Sequence, residues 1–197
     1  LIPGTHFIDN FTKLMTNDNL PILHALFNSV YVSIMTAALS TYFSSMTAYG
    51  LYMYHFKGRG VAMKFIMAVM MVPGQVSACG FLRLMMRMHL MDNLAALYIP
   101  AIASPVVFFY MIQYMKSVLP MEIVEAARVD GSGEFFTFNR IVLPMLKPAI
   151  SVQLIFTFVE SWNNYFLPAL LLDKAEMKTV PIMIAQLRAA DYSKFDL

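Results

Sequence analysis

Four long apolar stretches, separated by shorter polar segments, dominate the pattern of the chain. They contain no Lys, Arg, Asp or Glu except Glu160 and cover residues 19–56, 65–82, 93–115 and 148–172. Each stretch reaches the roughly 18 to 20 residues that a helix needs to cross a hydrocarbon core. Because backbone amides must be paired internally in lipid, such stretches form helices rather than strands. The pattern predicts four membrane helices, at about 27–49, 63–84, 94–115 and 149–172.

Prolines and small residues modify these predicted helices. Pro73 with Gly74 interrupts hydrogen bonding in the second helix, and Pro100 with Pro105 interrupts it in the third. Such breaks either mark a pathway or are ordinary kinks. In the first helix, small residues recur at spacings near three and four, which predicts a face for close packing against another helix. They are Ser29, Ser33, Ala37, Ser40, Ser44, Ala48 and Gly50.

Composition narrows the class of protein. The chain is 59% hydrophobic and 13% charged, with a mean hydropathy of +0.62, whereas soluble domains are nearer one quarter charged. The net charge is only +2, and the basic residues lie between apolar stretches rather than on one face, so nucleic acid is not expected as a partner. Cys79 is the only cysteine, which excludes an internal disulfide, and we expect it to be a small buried hydrophobe.

Cofactor chemistry finds little support in the sequence. The four histidines are scattered, without the close spacing of a zinc-binding helix. No segment matches the phosphate-binding pattern G-x-x-x-x-G-K-[ST]. We therefore expect no metal site and no cofactor in this chain, and any energy from ATP must come through a partner.

The link between the third and fourth predicted helices, residues 116–147, is the only large amphipathic segment. Pro120 suits a first helical turn and Glu122 a helix N-terminus, so a short helix is predicted from about Leu119 to Val129. Gly131 and Gly133 permit a sharp turn. A second helix carrying several phenylalanines should then end before Pro144. On spacing alone, this 116–147 loop is a hairpin lying at the membrane surface.

The same loop contains a spaced motif. It reads Glu125-Ala126-Ala127, three residues, Gly131, nine residues, then Ile141-Val142-Leu143-Pro144. This pattern resembles the EAA motif of binding-protein-dependent permeases of ATP-binding-cassette importers. The resemblance implies an all-α, polytopic transmembrane helix bundle whose 116–147 loop carries a cytoplasmic coupling helix that fits a cleft on an ATPase subunit. The residues implied in coupling are Glu125, Ala126, Ala127, Gly131, Ile141, Leu143 and Pro144.

The resemblance also implies topology and partners. The 116–147 loop would face the cytoplasm of a bacterial cell, and residues 1–26, 85–93 and 173–197 would face outward, in a multi-pass inner-membrane protein. Residues 1–197 would form one transmembrane domain, lacking a first and a last membrane helix. Partners would be cytoplasmic ATPase subunits that bind ATP and Mg²⁺, a second permease subunit, an extracellular or periplasmic solute-binding protein and membrane lipid.

A second likeness points to carbohydrate uptake. The cluster from Phe158 to Phe166 resembles the Trp-Asn signature in the second permease subunit of maltose-type transporters. A carboxylate within an apolar stretch should face a partner or a wet cavity rather than lipid. At 100° per residue, Glu160, Asn163 and Asn164 share a face while Trp162 points elsewhere. Glu160, Trp162, Asn163 and Asn164 are thus candidates for the transport pathway, or else contacts between helices.

Other functions remain as alternatives at this point. Permeases for amino acids, peptides or anions share the coupling motif. An intramembrane enzyme could use Glu160 as an acid or base, but neighbouring Ser161 does not face it on a helix. A passive assembly protein would leave the turnover of an ATPase partner unaffected. An importer subunit for a sugar or oligosaccharide is the leading hypothesis.

Overall fold

Helices joined by short turns make up the described part of the chain. The computed structural model describes residues 7–15 and 21–189, and no strand occurs among them. The helices are α1 (Phe7–Met15), α2 (Ile22–Met53), α3 (Arg59–Val69), α4 (Gly74–Arg87), α5 (Ala95–Tyr98), α6 (Pro105–Val118), α7 (Met121–Val129), α8 (Glu134–Thr137), α9 (Leu143–Met145), α10 (Lys147–Asn163), α11 (Phe166–Leu171) and α12 (Val180–Ala189). Helical turns of other types lie at Pro100–Ile102, Phe138–Val142 and Ala175–Met177. The all-α class is confirmed.

The first predicted span is the unbroken 32-residue helix α2, which packs mainly against α10 and α6. Its small-residue face is buried as predicted. Six members of that face are at most 3% exposed: Ser29, Ser33, Ala37, Ser40, Ser44 and Ala48. Gly50 does not belong to this face, because a Cβ atom there would meet nothing within 4 Å. Two residues after Ala48 on a helix, it points to roughly the opposite side.

The second predicted span is wrong as a single helix. Helices α3 and α4 are bent by 100° across a short break. Pro73 causes the break, since it has extended backbone with φ −61° and ψ 130° and no N–H to continue α3. The prediction for Cys79 is wrong as well, because its side chain is exposed. Helix α4 buries only Ala78 and Met85, so most of its surface is free.

The third predicted span is also interrupted, as its prolines predict. Pro100 opens a tight turn after α5, and Pro105 begins α6. Ser104 lies between them with extended backbone, and its side chain accepts a hydrogen bond from the N–H of Val107. Ser104 therefore supplies the N-terminal cap of α6.

The fourth predicted span ends earlier than expected. Helix α10 stops at Asn163, because Asn164 has extended backbone with φ −70° and ψ 115°, and α11 follows from Phe166. The side-chain Oδ1 of Asn164 accepts a 3.4 Å hydrogen bond from the N–H of Leu167. An Asn side chain that bonds nearby backbone competes with helix continuation, which accounts for the break.

Two of the described helical segments are long and apolar enough to cross a membrane by themselves, Ile22–Met53 and Ala95–Val118. Two bent pairs meet the same test jointly, α3 with α4, and Glu134–Met145 with α10 at 81°. Counting each pair as one span gives up to four. Helices long and apolar enough to span a membrane are therefore present, and four is the upper number among the described residues.

The main core lies where α2, α6 and the 116–147 loop meet. It includes fully buried Met111 and Met115 of α6, Val124 of α7 and Phe138 of the π-helical turn. A smaller cluster joins α4, α5 and α11 around Met85, Ala96 and Leu171. The loop is thus packed into the bundle rather than lying free on lipid.

Two helices occur where the sequence pattern predicts polar segments. Helix α1 lies within residues 1–20, and α12 lies within 173–197. In α12, Ile182 and Met183 are buried, and in α1, Phe7 and Phe11 stack with ring centroids 6.2 Å apart. The pattern misses both helices because each is too short to register as a membrane span.

Candidate functional site

Helix α7 presents one face to the bundle and the other to the outside. Val124 and Ala127 are buried, whereas Glu125 and Ala126 are exposed. The exposed part of the motif is therefore free to meet another molecule. The buried part is held by the core beneath it, which fixes the position of the exposed face.

Gly131 ends α7 in a left-handed conformation, with φ +78°. The N–H of Gly131 donates to the carbonyl of Arg128, and the N–H of Ser132 donates to the carbonyl of Ala127. This arrangement satisfies carbonyls at the helix end and favours glycine, which has no Cβ to strain. The turn predicted at Gly131 is confirmed.

The last part of the motif lies in a continuous irregular helix. The chain passes from α8 through the π-helical turn into α9, so the expected end before Pro144 is wrong. The wider π turn ends at Val142, two residues before Pro144, and its looser winding relieves the clash of the proline ring with the preceding carbonyls. Ile141 and Leu143 are half-buried, and Pro144 is exposed.

An ion pair closes the turn after α7. The Arg128 Nε–H donates to Oε1 of Glu134 at 2.6 Å, and the Arg128 guanidinium lies over the Tyr54 ring, 5.3 Å from its centroid. Oε2 of Glu134 accepts a 3.0 Å hydrogen bond from the hydroxyl of Tyr49. These residues are absent from the sequence prediction. Opposite charges on either side of Gly131 are the signal that could have indicated them.

A cavity of about 430 Å³ lies between α2, α4, the α5–α6 segment, α10 and α11. Glu160 and Asn164 both line it, as the pathway prediction requires. Its other polar lining residues carry hydroxyl groups. They are Ser29, Thr36, Ser40, Ser77, Ser104, Thr157, Ser161 and Thr179.

Two of those hydroxyls have no hydrogen-bond partner among the described residues. They are Oγ1 of Thr36 and Oγ1 of Thr179, both shielded from solvent, and Thr179 is only 4% exposed. Burying a hydroxyl without a partner costs free energy of about 1–3 kcal/mol. Both residues line the cavity, and their hydroxyl groups have unused hydrogen-bonding capacity. The hydroxyl residues that recur on the small-residue face of α2 could have indicated Thr36 from the sequence. No sequence pattern indicates Thr179.

Trp162 and Asn163 do not line the cavity. The Trp162 ring stacks on Phe158, with centroids 6.1 Å apart, and Asn163 Nδ2 donates to the carbonyl of Val159 in its own helix at 2.9 Å. For Trp162 this agrees with the helical-wheel expectation. The prediction that Asn163 and Asn164 lie on the same face is wrong. Helix α10 ends at Asn163, and the turn that follows directs the two side chains to different places.

At the end of the bundle away from the 116–147 loop, Asp92 links two loop segments by hydrogen bonds. Its Oδ1 accepts hydrogen bonds from the backbone N–H groups of Asp173 and Lys174, at 2.6 and 2.9 Å. The bond from Lys174, followed by that from Asp173, holds the pKa of Asp92 below its ordinary value. Asp92 has φ +53°, a conformation that Asp tolerates better than most residues.

Metal chemistry has no candidate in the described part of the chain. No group of three or more His, Cys, Asp or Glu side chains there could hold a metal ion. Glu160 and Ser161 both face the cavity, yet adjacent residues on a helix do not form a nucleophile and base pair.

Apolar broken helices surround a cavity with several polar lining groups, and a loop packs at one end of the bundle, an arrangement that fits a helical membrane protein with a ligand pathway. Residues 21–192 match the family described as the binding-protein-dependent transport system inner membrane component. The chain belongs to this family. It is a membrane transport component rather than an enzyme, and ATP hydrolysis belongs to a partner subunit.

Relatives of known role support that membership. The chain is 35% identical over 195 residues to the arabinooligosaccharides transport system permease protein of Bacillus subtilis, covering 99% of this chain and 69% of that protein. It is 29% identical to the lactose transport system permease protein of Rhizobium radiobacter, covering 95% and 67%. The sn-glycerol-3-phosphate transport system permease protein of Escherichia coli is 28% identical, covering 91% and 65%.

A solved structure has the same fold. A bacterial ABC transporter involved in the import of the acidic polysaccharide alginate matches with a TM-score of 0.81 at 21% identity, over 100% of this chain and 67% of the solved chain. At this identity the likeness concerns the fold alone.

Proposed function

We propose that this permease subunit takes up a neutral sugar or oligosaccharide delivered by an extracellular binding protein. The cavity lined by Glu160, Asn164 and a set of hydroxyl groups carries the proposal. Hydroxyl and amide groups pair with sugar hydroxyls in both directions, as donors and as acceptors. The relatives named for arabinooligosaccharides and for lactose support the same class of substrate.

The charge of the cavity argues against the anionic alternative. Among the described residues that line the cavity, Glu160 is the only charged one, and none is Lys, Arg or His. A substrate anion about 4 Å from this carboxylate would be repelled by about 4 kcal/mol at an effective dielectric constant near 20. That cost opposes a phosphate or an acidic polysaccharide, whereas a neutral sugar does not incur it.

We further propose that the exposed face of α7, at Glu125 and Ala126, docks on an ATPase subunit in the cytoplasm. Ala126 permits close approach, and Glu125 offers a charged hydrogen-bond acceptor. Gly131 shapes the end of α7, and Ile141, Leu143 and Pro144 belong to the helix that supports it. ATP and Mg²⁺ bind to the ATPase partner, and a second permease subunit completes the pathway in the bacterial inner membrane.

Uptake by the complete transporter in proteoliposomes tests the proposal. We expect ATP-dependent accumulation of lactose or arabinotriose, and no accumulation of sn-glycerol 3-phosphate. Accumulation of the phosphate without either neutral sugar would overturn the assigned substrate class.

The two neighbouring asparagines provide a matched pair for the same assay. We expect Asn164→Ala to change uptake about 3- to 10-fold, the effect of losing roughly one hydrogen bond, and Asn163→Ala to leave it unchanged. Asn164→Asp keeps the acceptor for the N–H of Leu167 and so separates loss of the amide from loss of the turn. Equal effects of the two Ala substitutions would contradict a role for the cavity.

A further inference from the structure

Three tyrosines of α2 bind the 116–147 loop through their hydroxyl groups. Tyr42 donates to Oδ1 of Asn139 at 3.1 Å, and Tyr49 donates to Oε2 of Glu134 at 3.0 Å. Tyr52 donates to the carbonyl of Leu119 at 3.1 Å. Spacings of seven and three residues place the three side chains on one face of the helix. We call them the tyrosine face of α2.

The tyrosine face holds α7 at both of its ends. Tyr52 binds Leu119, two residues before α7 begins, and Tyr49 binds Glu134, which the Arg128 ion pair joins to the last turn of α7. The rings add apolar contact, since Tyr42 and Tyr49 both lie against Phe138, with centroids 5.9 and 5.4 Å apart. Helix α7 therefore cannot shift far without moving α2 or breaking these bonds.

The same helix lines the cavity farther along. Ser29, Thr36 and Ser40 belong both to α2 and to the cavity wall. Ser40 precedes Tyr49 by nine residues, about 13 Å along an unbroken helix. A hydrogen-bonded helix without a break carries a displacement of one end to the other, unlike α3 and α4, which are separated by a 100° bend.

We propose that Tyr42, Tyr49 and Tyr52 are positioning residues that transmit movement of α7 to the cavity wall through α2. This inference rests on the proposed function in one respect, that an ATPase partner moves α7. It assigns to α2 a connection between the loop and the cavity, beside the direct joins of the loop to α6 and α10.

Replacement of the tyrosines by phenylalanine tests the inference, because it removes the hydroxyl bonds and keeps the rings. The complete transporter carrying Tyr42→Phe, Tyr49→Phe and Tyr52→Phe is reconstituted with its ATPase and binding protein. Lactose or arabinotriose transported per ATP hydrolysed is the measured ratio. We expect substrate-stimulated hydrolysis to continue while the ratio falls at least fivefold, and each single substitution to give a smaller loss.

Tyr110→Phe is the matched control. This half-buried tyrosine of α6 packs against the same core and makes no hydrogen bond through its hydroxyl among the described residues. We expect a wild-type ratio. A purely structural role of the tyrosine face would lower the yield of assembled complex and leave the ratio of the surviving complex unchanged.

Two outcomes count against the inference. A wild-type ratio in the triple variant overturns the inference, while sugar uptake itself still supports the proposed function. If the triple variant fails to assemble, wild-type ratios in all three single variants also overturn the inference. Absence of ATP-dependent sugar uptake by the wild-type transporter overturns the proposed function, and the inference falls with it.

Discussion

At the scale of single residues, backbone conformation separates two glycines that the sequence treats alike. Gly131 has φ +78°, whereas Gly133 has φ −68°, and a Cβ atom at either position would meet nothing within 4 Å. Space is therefore available at both positions. Only the left-handed backbone at Gly131 penalises a side chain, by about 1–2 kcal/mol.

This difference makes a prediction about coupling. We expect Gly131→Val to displace the end of α7 and to reduce sugar uptake severalfold, with the chain still inserted in the membrane. Gly133→Ala should retain wild-type uptake, since its backbone suits any residue. Uptake and membrane-inserted yield are measured together. Equal loss in both variants would show that contact space, and not backbone conformation, limits this turn.

Only some of the cavity residues could be predicted from the sequence. Glu160 is recognisable because a carboxylate in an apolar stretch needs a polar environment. Thr179 is not recognisable, since its role depends on contact between segments distant along the chain. Asn163 and Asn164 are distinguished only by a helix end that falls between them, and an uninterrupted helical wheel cannot anticipate it.

At the scale of elements, the positions of apolar helices follow from the sequence, but their breaks do so only in part. Pro73 and Pro105 interrupt helices as their chemistry requires. The bend of 100° between α3 and α4 depends on what α4 packs against, which no local pattern contains. Helix α12 is missed because its 10 residues are too few to register as a membrane span, and the burial of Ile182 and Met183 depends on tertiary contacts that no local pattern contains.

The tie made by Asp92 yields a prediction at this scale. Its folded-state pKa is lowered, so its contribution to stability is present above the ordinary carboxyl value of 3.8 and is lost as the pH falls through the lower folded value. We expect the N–H groups of Asp173 and Lys174 to exchange hydrogen faster in Asp92→Ala than in wild type at about pH 6. The difference between the two proteins should shrink as the pH falls through the lowered folded pKa of Asp92.

Asp173→Ala provides the control for that measurement. It removes an exposed side chain and leaves in place the backbone N–H that bonds Asp92. Exchange at Lys174 should therefore match wild type. Faster exchange in both variants at about pH 6 would mean that charge at this end of the bundle, rather than the Asp92 hydrogen bonds, protects the segment.

At the scale of the whole molecule, the two tied regions lie at opposite ends of α2. Its first turns bond the 176–180 segment through Asn28 and Ser29, and its last turns bond the 116–147 loop. We propose that the 116–147 loop faces the cytoplasm, where it meets the ATPase subunit. The 171–180 segment lies at the other end of α2 and should therefore face outward. We expect an external, membrane-impermeant thiol reagent to label Glu176→Cys and not Val129→Cys.

That labelling is carried out in intact cells, with Cys79 replaced because its side chain is exposed. Both test positions are exposed in this chain, and Val129 is 88% exposed. Because Val129 shares the docking face of α7 with Ala126, the labelling uses cells without the ATPase subunit, so that failure to label Val129→Cys reports the side of the membrane rather than burial. Cell lysis should make Val129→Cys reactive. Labelling of Val129→Cys before lysis would invert the topology.

The length of α2 has a consequence for the surrounding lipid. Its 32 residues extend about 48 Å, against a hydrocarbon thickness of about 30 Å. A helix longer than the bilayer is accommodated by tilting, by projecting into the interface or by thickening the lipid around it. Tyrosine favours the headgroup level, so the half-buried Tyr52 should lie there at the loop-binding end, whereas Tyr49 is buried in the core. The acyl-chain length of the lipid should therefore affect the tilt of α2. A thicker bilayer makes α2 more upright, and this changes the angle at which α2 meets the 116–147 loop.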